Sequence, residues 1–460
     1  MKNPLSILLL LPALFSLYYV VRGYTEKAFL QLYLPALLGL PFYYACRLPH
    51  MPPISVAEAI LIPIAFGTVI RSFSKWRFCR VDLWVVLFMC SLAASEVLRE
   101  NILNDGIFVV LSAITSMLFP YIVGRLLIEP QLRLQTAKRF VVISLFLTLI
   151  GLYELRMGIN PYSIIASKLF GFSHIEWTLQ MRGGRARIAT SFSDAELAGI
   201  VFTIAIALNW SLIQVNKLAH CRLDEPRGFF AKLQRWHLPG LILFGLLLLT
   251  QSRGPLLGAA LAFAIIQIPK FKNTRRASIV MAVLLVLGGL AVYSYLDRYT
   301  ASSNDGAASE QQASAAYRRL LLENYKPIVE EGGWLGWSTI SRPQVRGQES
   351  VDNEFLLVQL IQGRLGLILF VLIGADTVWR LIQSTWRFRR REDLYFAFSL
   401  LAAMGALWFT ITTVYLGEQL PQIAFLLIGW SQSLHETQDG RAEHLSAPEI
   451  ARFNFKRVFV

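Results

Sequence analysis

Long apolar blocks alternate with short polar connections along nearly the whole chain. The clearest block is "ASIVMAVLLVLGGLAVYSYL", residues 277–296, and a second is "LAGIVFTIAIALNWSLIQV", residues 197–215. Each is close to the roughly 20 residues that cross a bilayer as α-helix. The pattern predicts an all-α fold: one polytopic integral membrane domain over residues 1–460, a transmembrane bundle of about 12–13 helices. Candidate helices fall near 4–21, 28–46, 54–70, 82–98, 106–126, 139–156, 197–215, 238–251, 254–269, 277–296, 354–380, 394–415 and 419–434. The first is expected to remain as a membrane helix, because the bulky "SLYYVVRGY" after it offers no small-residue cleavage site. No internal repeat and no inverted halves of the transporter kind are visible.

The connections set an orientation. "RSFSKWRFCR" (71–80), "KFKNTRR" (270–276) and "RFRRR" (387–391) each hold four basic residues, and 216–237 holds Lys217, Arg222, Arg227, Lys232 and Arg235. Short basic loops stay in the cytoplasm, so these share that side with the tail 435–460. Two long loops are then external: a first over 157–196 and a large one over 297–353. The large loop mixes acids with bases. It opens with a small polar stretch, 301–316, expected to be flexible, and continues with helical spacing from Ala315 to Val329 through Tyr317, Leu320, Leu321 and Ile328.

Composition agrees with this picture. The chain is 55% hydrophobic and 16% charged, where soluble domains carry about a quarter charged residues. The net charge of +14 fits basic cytoplasmic loops rather than nucleic-acid binding. The four cysteines form no CxxC pair, and the six histidines show no metal-ligand spacing.

Arginines on the external side are the exception. "MRGGRARIATSFSDAELAGI" (181–200) carries Arg182, Arg185 and Arg187. External arginines go against the positive-inside tendency, and a guanidinium fork matches phosphate oxygens. Gly183 and Gly184 would let backbone approach a ligand closely. "LLLTQSRGPLLGAA" (247–260) turns sharply between two helices, placing Arg253 at a helix N-terminus that itself favours anions. The alternative there is an arginine reaching lipid headgroups. Arg318 follows in the large loop, where an exposed helix face is an equal reading.

These pieces, in this order, resemble the bacterial O-antigen ligase and O-antigen polymerase superfamily over roughly residues 140–415. The quoted elements are "RIATSFSDAELA" (187–198), "QSRGP" (251–255), Arg318 followed by "EEGGWLGWS" (330–338), and Asp352-Asn353 followed, nine residues later, by Gly363-Arg364-Leu365-Gly366. Two departures stand out: Ala195-Glu196 where Pro-Asn is frequent, and Asp352 where the ligases have His. The resemblance implies a GT-C-like membrane glycosyltransferase of the bacterial inner membrane with its active site on the periplasmic face. Its donor would be an undecaprenyl-diphosphate-linked oligosaccharide and its second substrate an acceptor glycan, with membrane lipids around it and no metal or other cofactor. A chain-length regulator and a flippase are possible partners. Arg185, Arg187, Arg253 and Arg318 would hold the donor diphosphate, the last two acting also in catalysis. Position 352 would carry the base, with Asn353, Glu349 and Glu354 as acceptor-binding residues or alternative bases. Glu58, Glu96 and Glu154, near outer helix ends, are read as structural, as is an Asp376–Arg380 ion pair. The aspartate at 352 favours a polymerase of O-antigen or exopolysaccharide over a ligase acting on lipid A-core. A lipid-linked glycan transporter is the alternative of another class, and would need charges deep in several helices.

Overall fold

The computed structural model describes residues 4–47, 51–99, 105–170, 180–221, 237–284, 310–348, 350–388 and 390–446. The fold is an all-α helical bundle, with two two-stranded hairpins as its only sheet among these residues. Glu349 and the tail beyond 446 lie outside the described residues.

A 3-10 turn, Pro4–Leu10, leads into α1, Leu11–Val21. Thr25–Ala28, Phe29–Tyr33 and Leu34–Gly39 run on as α2, with a π turn in the middle. Then follow α3 (Val56–Ser72), α4 (Arg80–Leu98), α5 (Ile107–Leu126), α6 (Pro130–Met157), α7 (Pro161–Phe170) and α8 (Ala195–Cys221). The series continues with α9 (His237–Leu249), α10 (Arg253–Gln267) and α11 (274–284). It ends with α12 (Glu310–Gly332), α13 (Glu354–Arg387), α14 (Arg391–Thr410) and α15 (Leu420–Ser446).

Six of the described helices are long and apolar enough to cross a membrane: α4, α5, α6, α8 over Ala195–Asn216, α13 and α14. Several other expected spans are helical but shorter, with 13 residues in α9, 15 in α10 and 17 in α3. The expected span 277–296 is described only to residue 284. The expected helix 28–46 is corrected: it ends at Gly39, because Leu40 precedes Pro41 and takes extended backbone (φ −114°, ψ 138°). The chain then forms β1, Ala45–Cys46, which pairs antiparallel with β2, Ile54–Ser55. Residues 310–316, expected to be flexible, already belong to α12.

The helix α8 is the centre of the bundle, with 78% of its apolar window buried. A helix apolar on all faces is stable only when surrounded. Ser399 Oγ of α14 donates to Ala207 O of α8 at 2.6 Å, and Gly258 of α10 lies against Ala406 and Thr410 of α14.

Among the described residues, the basic connections gather at one end. Arg71 donates to Val20 O and Thr25 Oγ1. Arg125 is fully enclosed, with Nε 2.8 Å from Asp82 Oδ1 and Nη2 2.7 Å from Glu436 Oε1, and it also donates to Arg77 O. Arg133 donates to Ser433 O, and Arg275 lies over the Trp386 ring. Asp376 and Arg380 form the expected i,i+4 pair, at 3.5 Å. Loops carrying the other group of arginines lie at the opposite end.

Candidate active site

At that opposite end, carboxylates on helix ends hold the loops. Glu154, in the last turn of α6, accepts from Ala189 N–H (3.0 Å), Thr190 N–H (2.8 Å) and the Asn160 amide. Glu418 accepts from Ser193 N–H at 3.1 Å, and Glu96 from Thr339 N–H at 2.7 Å. Glu58 closes a capping box with Ser55 and accepts from Thr115. A buried carboxylate must be hydrogen-bonded, and two or three backbone amides do this well. These acids therefore fix backbone, as expected for Glu58, Glu96 and Glu154.

The first loop is built around a hairpin, β3 (Met181–Arg182) with β4 (Arg185–Ala186). Gly183 (φ 55°) and Gly184 (φ 73°) form its two-residue turn, which requires positive φ at both positions. Nothing lies within 4 Å of where their Cβ atoms would be. The turn alone accounts for both glycines, and the space around them stays open. Arg185 stands exposed on the hairpin. Arg182 Nη1 donates to Gln251 O at 2.6 Å.

Arg187 is buried. Its Nε donates to Thr250 O (2.9 Å) and its Nη2 to Ser252 Oγ (2.7 Å), while Glu196 Oε1 lies 3.7 Å from Nη2. Burial and the nearby Arg182 charge pull its pKa below the usual arginine value, against Glu196 and Asp194. Arg187 so clamps the turn that presents Arg253. Arg253 is exposed in the first turn of α10, after Ser252 in extended backbone.

The connection 411–416 links this turn to the start of α13. A Cβ at Gly254 would meet Thr413 Oγ1 at 2.9 Å. Glu354 is buried, its N–H donates to Ile411 O, and its Oε2 accepts from Leu416 N–H at 2.7 Å. The structure thus places Glu354 inside this connection. Asn353 is the N-cap of α13, accepting from Leu356 N–H at 3.1 Å. Asp352, half-buried, leaves the capping to Asn353 and accepts from Ser350 Oγ at 2.6 Å.

Arg318 arrives on α12. This helix packs Leu321, Tyr325 and Val329 onto Val351, Leu356 and Leu360, and Leu320, expected on that face, is turned outward. Tyr317 Oη donates to Ser350 O at 3.3 Å and Tyr325 Oη to Gln348 O at 3.0 Å. Arg318 is half-buried. The Glu196 carboxylate feels the charges of Asp194, Arg187, Arg318 and Asp352. Residues from the first loop, the large loop and the start of α13 therefore share one electrostatic neighbourhood. Glu196 at its centre was missed in the sequence, where an acid in the first turn of a helix reads as a dipole partner.

Two more motifs meet by backbone. Gly363 interrupts α13 with φ 67°, ψ −161°. Trp337 N–H and Ser338 N–H donate to Leu360 O and Ile361 O, while Arg364 N–H and Leu365 N–H donate to Gly333 O and Trp334 O. The "GGWLGWS" segment so satisfies the polar groups that the break in α13 leaves open. Thr190, Gln251, Ser338 and Glu418, non-glycine residues with φ between 51° and 66°, all lie among these loops. Backbone of this kind persists where surrounding bonds over-determine it.

Residues 238–371 match the O-antigen ligase family. The match supports the O-antigen ligase/polymerase superfamily, as the motifs indicated, and with it O-antigen ligase/polymerase-type function in a multi-pass membrane protein. The matched residues include Arg253, Arg318, Asp352, Asn353 and Gly363, and leave out Arg187 and Glu196. Comparison with curated proteins gave no match. Among the described residues, no three His, Cys, Asp or Glu side chains gather as a metal site.

Proposed function

We propose that the chain is a glycosyltransferase that lengthens an O-antigen or exopolysaccharide on undecaprenyl diphosphate, at the periplasmic face of the bacterial inner membrane. The observation that carries this reading is the Arg187 clamp on the turn that presents Arg253, with Glu196 3.7 Å from the same guanidinium; the charges of Arg318 and Asp352 also act on that carboxylate. Arg253 and Arg318 hold the donor diphosphate, and Arg187 positions Arg253. Arg185, exposed on its hairpin, meets the donor from outside. The acceptor hydroxyl oxygen attacks the anomeric carbon of the donor sugar. The bond from that carbon to the diphosphate oxygen breaks, and its electron pair leaves on undecaprenyl diphosphate. The acceptor's proton passes to the Asp352 carboxylate. The guanidinium groups offset charge growing on the leaving group, and the proposed step needs no metal.

The family description favours a second reading, a ligase that moves the glycan to lipid A-core. Purified protein given a lipid-linked repeat unit, with and without lipid A-core, separates the two by product. Absence of product with either acceptor would sink both and leave a transporter of lipid-linked glycan. In cells, Arg253→Ala and Arg318→Ala at normal protein levels should each shorten or abolish the polymer on gels. Unchanged length and yield for both would refute the diphosphate roles.

A further inference from the structure

Beside Asp352 lies a cavity of about 380 Å³, lined by Arg342, Ser350, Val351, Leu357 and Tyr415. That is within the size range of small-ligand clefts. Val351 and Leu357 give it apolar walls, Tyr415 an aromatic ring, and Ser350 and Arg342 its polar groups. Ser350 Oγ donates to Asp352 Oδ1, so the cavity adjoins the proposed base. Arg342 is half-buried and forms no hydrogen bond or ion pair among the described residues. A partly desolvated charge is ordinarily paired, and the Asp352 carboxylate is engaged by Ser350, not by Arg342. The cavity therefore offers a hexose-like ligand a ring to stack on, a hydroxyl, and a cation unpaired among the described residues.

We propose that this cavity binds a sugar residue bearing a carboxylate, a uronic acid, with Arg342 pairing the carboxylate and Tyr415 stacking on the ring. On the transferase reading, that sugar is the terminal residue of the acceptor, and its free hydroxyl faces Asp352. Calling it the acceptor rests on that reading, whereas the preference for an anionic sugar does not.

Saturation-transfer NMR on the purified full chain tests this, with methyl β-glucuronide and methyl β-glucoside as probes. The glucuronide should bind about tenfold more tightly, the difference that one charge-assisted hydrogen bond makes. Arg342→Gln should erase that preference while keeping the glucoside signal, which also shows that the variant is folded. Arg342→Lys should keep part of the preference, since it retains the charge without the fork. Tyr415→Leu should weaken both probes. Equal binding of the probes, no saturable binding of either, or a preference that survives Arg342→Gln would overturn the proposal. So would displacement of the glucuronide, but not of the glucoside, by phosphatidylglycerol, which would assign Arg342 to a lipid headgroup. Transfer assays on the same protein are read separately. Loss of transfer with every acceptor defeats the transferase reading and leaves the anionic-sugar preference standing.

Discussion

Gly363→Ala should open the contact between α13 and the 333–338 segment. At φ 67°, ψ −161° the backbone is in a region that is almost glycine-only. A Cβ there would sit 2.5 Å from Gly336 N and against the Trp334 carbonyl carbon. Holding alanine in that conformation costs about 1–3 kcal/mol, and overpacking the contact costs about 1–3 kcal/mol more. Four backbone hydrogen bonds oppose this: Trp337 to Leu360, Ser338 to Ile361, Arg364 to Gly333 and Leu365 to Trp334. At about 0.5–1.5 kcal/mol each, they supply a total of the same size. The contact should therefore weaken by about 3 kcal/mol, a rise of about 100-fold in the open population. Hydrogen exchange read by mass spectrometry reports this at the four donating amides, which should exchange about 100-fold faster. Gly347→Ala is the control: φ is 80°, but nothing lies within 4 Å. It should cost only about 1–2 kcal/mol of left-handed strain and leave those four amides protected. Wild-type protection at the four amides in Gly363→Ala would refute the argument.

Three further outcomes follow from the same geometry. Asp352→Asn should keep stability within about 0.5 kcal/mol, because Asn353 makes the cap. The same variant should lose about 100-fold or more in transfer rate if Asp352 is the base, and full activity would remove it from that role. Glu154→Ala strands the backbone amides of Ala189 and Thr190 and takes one of two acceptors from the Asn160 amide. It should cost about 3 kcal/mol, and an unchanged thermal midpoint in detergent would contradict this. The Glu323 side chain is 58% exposed on α12. A cysteine there should react with a membrane-impermeant maleimide from outside intact spheroplasts, and labelling only after lysis would reverse the topology.

The bundle was legible because apolar blocks of helix length leave little choice of secondary structure, and the arginines because they stood against the charge rule. Helix ends were less legible: α2 stops at Gly39, ahead of Pro41, which hydropathy does not weigh. The division of labour among the arginines could not be read. Arg187 and Arg253 look alike in sequence, yet one is buried against Thr250 and Ser252 while the other is exposed. Which of them clamps and which presents depends on a contact across more than sixty residues. The spacing of Gly363-x-x-Gly366 does not reveal that its first glycine breaks the helix to receive backbone from "GGWLGWS". Single-sequence periodicity has no signal for a partner that is backbone.

The Arg187 clamp has an evolutionary consequence. Its two contacts on the turn are the Thr250 carbonyl and the Ser252 hydroxyl, so it supports the turn whatever that turn goes on to hold. As such chains diverge toward new glycans, position 187 is tied to the turn's shape while the residues that meet the sugar are free to drift. Arginine at 187 would therefore outlast changes in substrate. A strictly kept arginine in an alignment would then mark inherited architecture rather than a shared ligand, and the ligand would be written in the positions that vary.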